Sequence, residues 1–164
     1  MAKRLNLMKE YNWKLIINYK TIIEERTEDA PFVGALISAI DCNFNCKECF
    51  NQHLKKIQTQ QTECINIIQK IKKNPFNKGI ILAGLEWSNQ PNEAKALIEC
   101  ALQNDLKVIL YTGMDINDFK QKFPQLMIKG IYLKYGKFDV NKLTINHIEY
   151  GVKLASSNQH IIKI

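Results

Sequence analysis

The chain has 164 residues, 46% hydrophobic and 24% charged, with a formal net charge of +7. That length suits one domain, and the balance excludes a disordered or fibrous chain. No apolar run approaches the ~20 residues that span a bilayer, and the start leads into polar residues rather than a signal-peptide core, so a cytoplasmic protein with no membrane association is expected. The densest basic group, Lys70, Lys72, Lys73 and Lys78, is broken by Ile71, Pro75 and Phe76. A nucleic-acid partner is therefore not expected.

In chain order, residues 11–26 mix apolar and polar positions and are expected to form a peripheral strand or hairpin. After Pro31, the run 32–40 (Phe-Val-Gly-Ala-Leu-Ile-Ser-Ala-Ile) is short, nearly all apolar and partly β-branched, and reads as a buried strand. Apolar residues recur through Thr62–Lys73 at helical spacing, and Asn74-Pro75 closes the segment. Residues 79–84 read as a second buried strand. Pro91 opens a helix to Asn104. Leu106–Tyr111 reads as a third strand, Asp115–Phe123 as a short helix capped by Asp115, Met127–Tyr135 as a fourth strand and 160–164 as a last one. Alternating strands and helices imply an α/β chain with a mostly parallel sheet and flanking helices. Residues 1–30 are expected as a peripheral segment beside a single domain at 31–164. Such sheets place their sites at the carboxyl ends of the strands, and each unusual segment falls there: Asp41–Asn51, Gly84–Asn89 and Thr112–Asp115.

Three of the five cysteines, Cys42, Cys46 and Cys49, fall within eight residues, directly after the first core strand. A disulfide framework would spread its cysteines, so the cluster reads as a metal or catalytic motif. Three thiolates suit a [4Fe–4S] cluster with one iron left open for a ligand. Zinc on Cys42, Cys46, Cys49 and His53 is the competing arrangement. Cys64 and Cys100 stand alone in helical segments and read as small buried hydrophobes.

The spacing Cys-x3-Cys-x2-Cys at 42–49 is also the signature of the radical S-adenosylmethionine superfamily. Residues 42–51, Cys-Asn-Phe-Asn-Cys-Lys-Glu-Cys-Phe-Asn, resemble the activating proteins of anaerobic (class III) ribonucleotide reductases, including the aromatic-Asn pair Phe50-Asn51. Tyr111-Thr112-Gly113 and the stretch Ser156-Ser157-Asn158-Gln159 resemble further segments of that family, and the likeness covers roughly residues 32–164. It implies a partial (β/α) barrel and reductive cleavage of S-adenosylmethionine to a 5′-deoxyadenosyl radical. It further implies a glycyl radical installed on a large partner reductase, with flavodoxin or a similar reductant as electron source. The implied cofactor-binding residues are Phe50, Asn51, Gly84, Leu85, Glu86, Thr112, Gly113, Ser156 and Asn158.

The chain departs from the family in two places. Gly84-Leu85-Glu86-Trp87 stands where the family has Gly-Gly-Glu-Pro, so Leu85 is strained if that position needs φ > 0. Lys47-Glu48 replaces a common Pro-Gly pair. Glu86 reads as a ligand contact because it lies on the rim. Thr112 suits either a ligand hydrogen bond or a cap on the turn at Gly113. Ser156 and Asn158 suit either a ligand or a loop. Trp87 suits either the nucleoside or the core. The alternatives in function are a radical enzyme acting on another peptide or small molecule, and a non-catalytic zinc or iron–sulfur module.

Overall fold

The computed structural model describes residues 13–164. Residues 1–12, with the start of the expected N-terminal strand or hairpin, lie outside the described residues. The next two strands are β1 (Ile16–Tyr19) and β2 (Ile22–Arg26), but they do not pair with each other. β2 runs antiparallel to β3 (Gly34–Ser38), and β1 runs antiparallel to β4 (Gln60–Glu63). The two strands thus seat 13–26 against two different parts of the fold, and no local hairpin forms.

Four strands make the parallel centre of the main sheet. β3 pairs with β5 (Gly79–Ala83), β5 with β6 (Lys107–Tyr111), and β6 with β7 (Tyr132–Tyr135). Between them run α1 (Cys64–Lys73), α2 (Pro91–Gln103) and α3 (Ile116–Lys122). A two-stranded hairpin, β8 (Ile148–Glu149) and β9 (Val152–Lys153), precedes β10 (His160–Lys163), which closes the far edge antiparallel to β7. The six-stranded order is β10-β7-β6-β5-β3-β2. The result is a mixed α/β architecture with antiparallel strands at both edges. Among the described residues, no helix is long and apolar enough to cross a membrane.

The period-2 alternation of strands sorts the central residues onto two faces. Ala35, Ile37, Ile80, Leu82, Val108, Leu110 and Leu133 pack in the larger core with the helices. Leu36, Ile81, Ala83, Ile109, Tyr111 and Tyr132 belong to a smaller cluster completed by Val152, Leu154 and Ile161. The strands are apolar on both faces because both are covered, which is why they read as continuous runs. Cys64 and Cys100 are fully buried in the larger core, as expected of small hydrophobes.

The helix ends follow their local chemistry. Pro91 occupies the first turn of α2, where its missing N–H costs nothing. Asp115 caps α3, its Oδ1 accepting the Asn117 N–H at 2.8 Å. Pro124 starts a separate 3-10 turn, so the fourth core strand begins at Tyr132 rather than Met127.

Trp87 belongs to the core. It is fully buried, and its Nε1–H donates to the Ile37 carbonyl at 3.0 Å. It ties the segment after β5 to β3. Trp87→Phe loses this bond and some volume, and is expected to cost about 1–3 kcal/mol. The check is a fall in the urea midpoint with no change in slope.

Candidate metal centre

The cysteine loop leaves the C-terminal end of β3 and is pinned at both ends. The Ile40 N–H donates to Gln90 Oε1 at 2.9 Å, and the Asp41 carbonyl accepts the Glu86 N–H at 3.0 Å. Beyond the loop, a 3-10 helix (Gln52–Lys56) carries Lys55, whose ammonium donates to the Cys42 carbonyl at 2.6 Å. The buried Lys20 ammonium donates to the Ile57 carbonyl at 2.6 Å and the Lys55 carbonyl at 3.3 Å, satisfying the end of that turn. Inside the loop the chain doubles back at Asn45 and Glu48, both left-handed, with φ of 49° and 57°. Asn tolerates that region, but Glu48 occupies it at a cost that glycine would avoid. Glu48→Gly is expected to gain up to about 1 kcal/mol, read by urea denaturation.

Cys42, Cys46 and Cys49 are half-buried free thiols lining one wall of an open cleft. Backbone N–H groups are aimed at all three sulfurs. Phe44 donates to Cys42, Phe138 to Cys46, and Asn51 to Cys49 at 3.5 Å. Burial nevertheless pushes the Cys42 and Cys46 thiols up from their ordinary value. Left to themselves they are protonated, and it takes a bound cation to turn them into thiolate ligands.

The donor set fits an iron–sulfur cluster. Three soft ligands come from one loop, N–H donors surround the sulfurs, and open space faces them. Zinc fits less well. Zinc bonds of about 2.3 Å would draw thiolate sulfurs to within about 3.8 Å of one another. Among the described residues, the metal-ligating trio gathered within 4.8 Å is a different one, His147, Glu149 and His160. His53, the fourth zinc ligand considered, is exposed, and its Nδ1 lies 2.9 Å from the Phe50 carbonyl.

The opposite wall of the cleft comes from the ends of β5, β6 and β7. Gly84, Leu85, Glu86, Thr112 and Gly113 line it, while Asn51 lines the cleft from the cysteine side. Gly84 is left-handed, with φ of 82°. Leu85 is not among the residues with positive φ and is buried, so its side chain is accommodated without backbone strain. The glycine that this turn requires is the one the chain keeps.

Glu86 is buried, and both its oxygens are engaged. Oε2 accepts the Gly113 N–H at 2.8 Å, and Oε1 accepts the Ser88 N–H at 3.2 Å. Burial raises its pKa above the ordinary carboxylate value while these N–H donors and the Thr112 hydroxyl oppose the shift. Its carboxylate thus braces the ends of β5 and β6 against each other. Thr112 Oγ1 also accepts the Met114 N–H at 3.1 Å, which makes it a cap on this turn. Gly113 is small for a reason. A Cβ there would sit 3.0 Å from the ring of Phe44, which reaches over from the cysteine loop.

The remaining expected residues lie elsewhere. Phe50 is 74% exposed, paired with Phe138 at 5.5 Å, and lines an adjoining pocket rather than the cleft. Ser156 is buried beneath the C-terminal loop, its N–H donating to Gln159 Oε1 and its Oγ accepting the Asp139 N–H. Asn158 Nδ2 donates to the Lys137 carbonyl at 2.7 Å. Both shape the loop, and it is their neighbour Gln159 that lines the cleft.

Lys134 was not singled out from the sequence. Its ammonium sits 4.3 Å over the Tyr111 ring in the cleft wall, and burial pushes its pKa down to about 8. It is the one cationic side chain among the described residues lining the cleft. The readable signal is parity. Lys134 shares a strand face with Tyr132, which belongs to the smaller cluster, and pairs in register with Tyr111.

A family model described as 4Fe-4S single cluster domain matches residues 33–162. No curated protein matches the chain.

Proposed function

Because the chain belongs to the 4Fe-4S single cluster domain family, we propose that it is a radical S-adenosylmethionine enzyme. In this reading it generates a glycyl radical on a large anaerobic ribonucleotide reductase. The observation that carries the reading is that all three loop cysteines open onto one cleft walled by the carboxyl ends of three parallel strands. Cys42, Cys46 and Cys49 would hold three irons and leave the fourth facing the cleft. The chemistry the cluster supplies when bound is one-electron reduction of a sulfonium nucleotide.

The chain's own residues bind and orient that nucleotide. Gly84 and Leu85 present backbone at the end of β5, and Gly113 lets Phe44 close one side. Lys134 faces the cleft with a positive charge, suited to the carboxylate of the methionine moiety. Apolar walls from Leu85, Phe44 and Phe138 limit water around the reacting bond. The mixed sheet, with four parallel strands and helices on one face, supports a partial barrel open at its rim. Phe50, exposed at that rim, suits contact with a loop of a protein substrate. The electron comes from flavodoxin or a similar carrier.

The test is anaerobic reconstitution with iron and sulfide, followed by dithionite and S-adenosylmethionine. A brown protein that bleaches on reduction and releases 5′-deoxyadenosine supports the reading. A brown protein that releases none overturns it and leaves only the iron–sulfur family. Mixing with a candidate reductase should then give a glycyl-radical doublet by electron paramagnetic resonance.

Lys134→Met is expected to weaken S-adenosylmethionine binding about 10- to 100-fold with iron content unchanged. The lysine is protonated below about 8 and neutral above it. Wild-type affinity should therefore fall as pH rises through that value, while the Met variant stays flat. Parallel profiles by equilibrium dialysis would exclude the role.

A further inference from the structure

The β8–β9 hairpin meets the start of β10 through a side-chain group that the proposed function does not use. His147 stands just before β8, Glu149 lies on β8 and His160 opens β10. One ligand atom from each lies within 4.8 Å of the others. Glu149 Oε1 is 2.8 Å from His160 Nδ1 and 3.5 Å from His147 Nε2. The Gln159 carbonyl oxygen is 2.8 Å from the same His147 nitrogen. Two imidazole nitrogens and a carboxylate oxygen thus gather in one place, with the Gln159 carbonyl beside one of the imidazoles.

We propose that this is a second metal site, built for a single Zn²⁺ and independent of the cysteine loop. Bonds of about 2.1 Å place neighbouring donors about 3.0 Å apart in an octahedral site and about 3.4 Å apart in a tetrahedral one. The measured separations, 2.8, 2.8 and 3.5 Å, lie just outside that interval on either side, so small side-chain shifts bring the donors onto one ion. The two imidazole rings stand edge to face, 5.4 Å apart at 89°, so their in-plane lone pairs can meet at a common point. The second carboxylate oxygen is occupied, Oε2 accepting the Ile161 N–H at 2.6 Å, which fixes Oε1 toward the histidines. An open depression bordered by Tyr135 and Tyr150 gives a cation an entry path and leaves room for water in a remaining position. Nitrogen donors favour zinc over magnesium or calcium. The depression shares no lining residue with the cysteine cleft, and Gln159, which lines that cleft, touches both places.

Without metal, the same groups satisfy one another through hydrogen bonds between the imidazole rings and the oxygens. The experiment must separate a cation site from such a latch. The full-length chain carrying Cys42→Ser, Cys46→Ser and Cys49→Ser, which removes the loop thiolates as competing ligands, is titrated anaerobically with Co²⁺ as a spectroscopic probe and then with Zn²⁺ by calorimetry. One Zn²⁺ per chain should bind, with weak visible Co²⁺ bands and no sulfur-to-metal charge transfer. Glu149→Gln and His147→Asn should each weaken binding at least about tenfold while far-ultraviolet circular dichroism stays unchanged. Added Zn²⁺ should raise the melting temperature of this serine-substituted chain but not of the same chain with Glu149→Gln. Absence of binding, charge transfer from thiolate, or binding unaltered in both variants would overturn the site and leave the latch.

Discussion

Cys46→Ala is expected to abolish iron–sulfur loading outright. Each of the three loop thiolates would hold one iron, and removing the central one leaves two ligands for a cluster that needs at least three. The N–H of Phe138 that supports the Cys46 sulfur is then left without its acceptor. The fold should survive, because the loop cysteines are only half-buried and lie outside the core clusters' buried set. The metal-free variant should therefore unfold within about 0.5 kcal/mol of the metal-free wild type. Cys64→Ala is the informative contrast. Cys64 is fully buried in the larger core, and its loss should cost about 1 kcal/mol while iron and sulfide content stay at the wild-type level. Iron and sulfide per chain, visible absorption and 5′-deoxyadenosine release measure both variants. Iron retained by Cys46→Ala, or lost by Cys64→Ala, would show that the wrong cysteines had been assigned.

The parallel centre was legible because burial on both faces demands apolar runs. The strands β3, β5 and β6 carry just that pattern. Pro91 and Asp115 marked helix starts through backbone chemistry that needs no tertiary context. β4 was invisible for the opposite reason. Gln60-Gln61-Thr62-Glu63 carries no apolar alternation, and it is a strand only because β1 offers it a partner. The β8–β9 turn was hidden by its residue types. Tyr150 and Gly151 both take positive φ, at 51° and 78°, a geometry usually announced by Asn-Gly. In the site, the cysteine spacing was the strong signal, while the roles of Glu86, Thr112 and Trp87 depended on which neighbours the fold supplied. Glu86 and Thr112 line the cleft yet spend hydrogen bonds on the backbone around them. Trp87 turns inward because the Ile37 carbonyl lies within reach of its indole N–H.

Gly84→Ala is expected to be the most damaging single change in the cleft wall opposite the cysteines. Two independent costs add. An L-residue at φ of 82° pays about 1–2 kcal/mol of backbone strain. Its Cβ would also lie 2.6 Å from Ser38 Oγ and 2.9 Å from Ser38 Cβ, with Leu54 Cδ1 at 3.2 Å. Ser38 cannot yield easily, being fully buried with its hydroxyl 2.9 Å from that of Thr21. Overpacking of this kind adds about 1–3 kcal/mol. The sum, about 2–5 kcal/mol, is a large share of the roughly 5–15 kcal/mol typical of a domain. Gly130→Ala separates the two costs. Gly130 has φ of 97°, but a methyl group there would meet nothing within 4 Å, so only the strain remains. Urea denaturation of the two variants should therefore differ by the packing cost alone. The functional consequence follows from connectivity. Displacing Gly84 shifts Leu85 and Glu86, and with them the Glu86 bond to Asp41 that ties the two walls together and the bond to Gly113 that braces β5 against β6. The cysteines sit on the other wall, so iron loading should persist while, under the proposed function, S-adenosylmethionine binding is lost. Equal destabilisation by the two alanines would show that Ser38 and Leu54 give way, and that the turn is held by its backbone conformation alone.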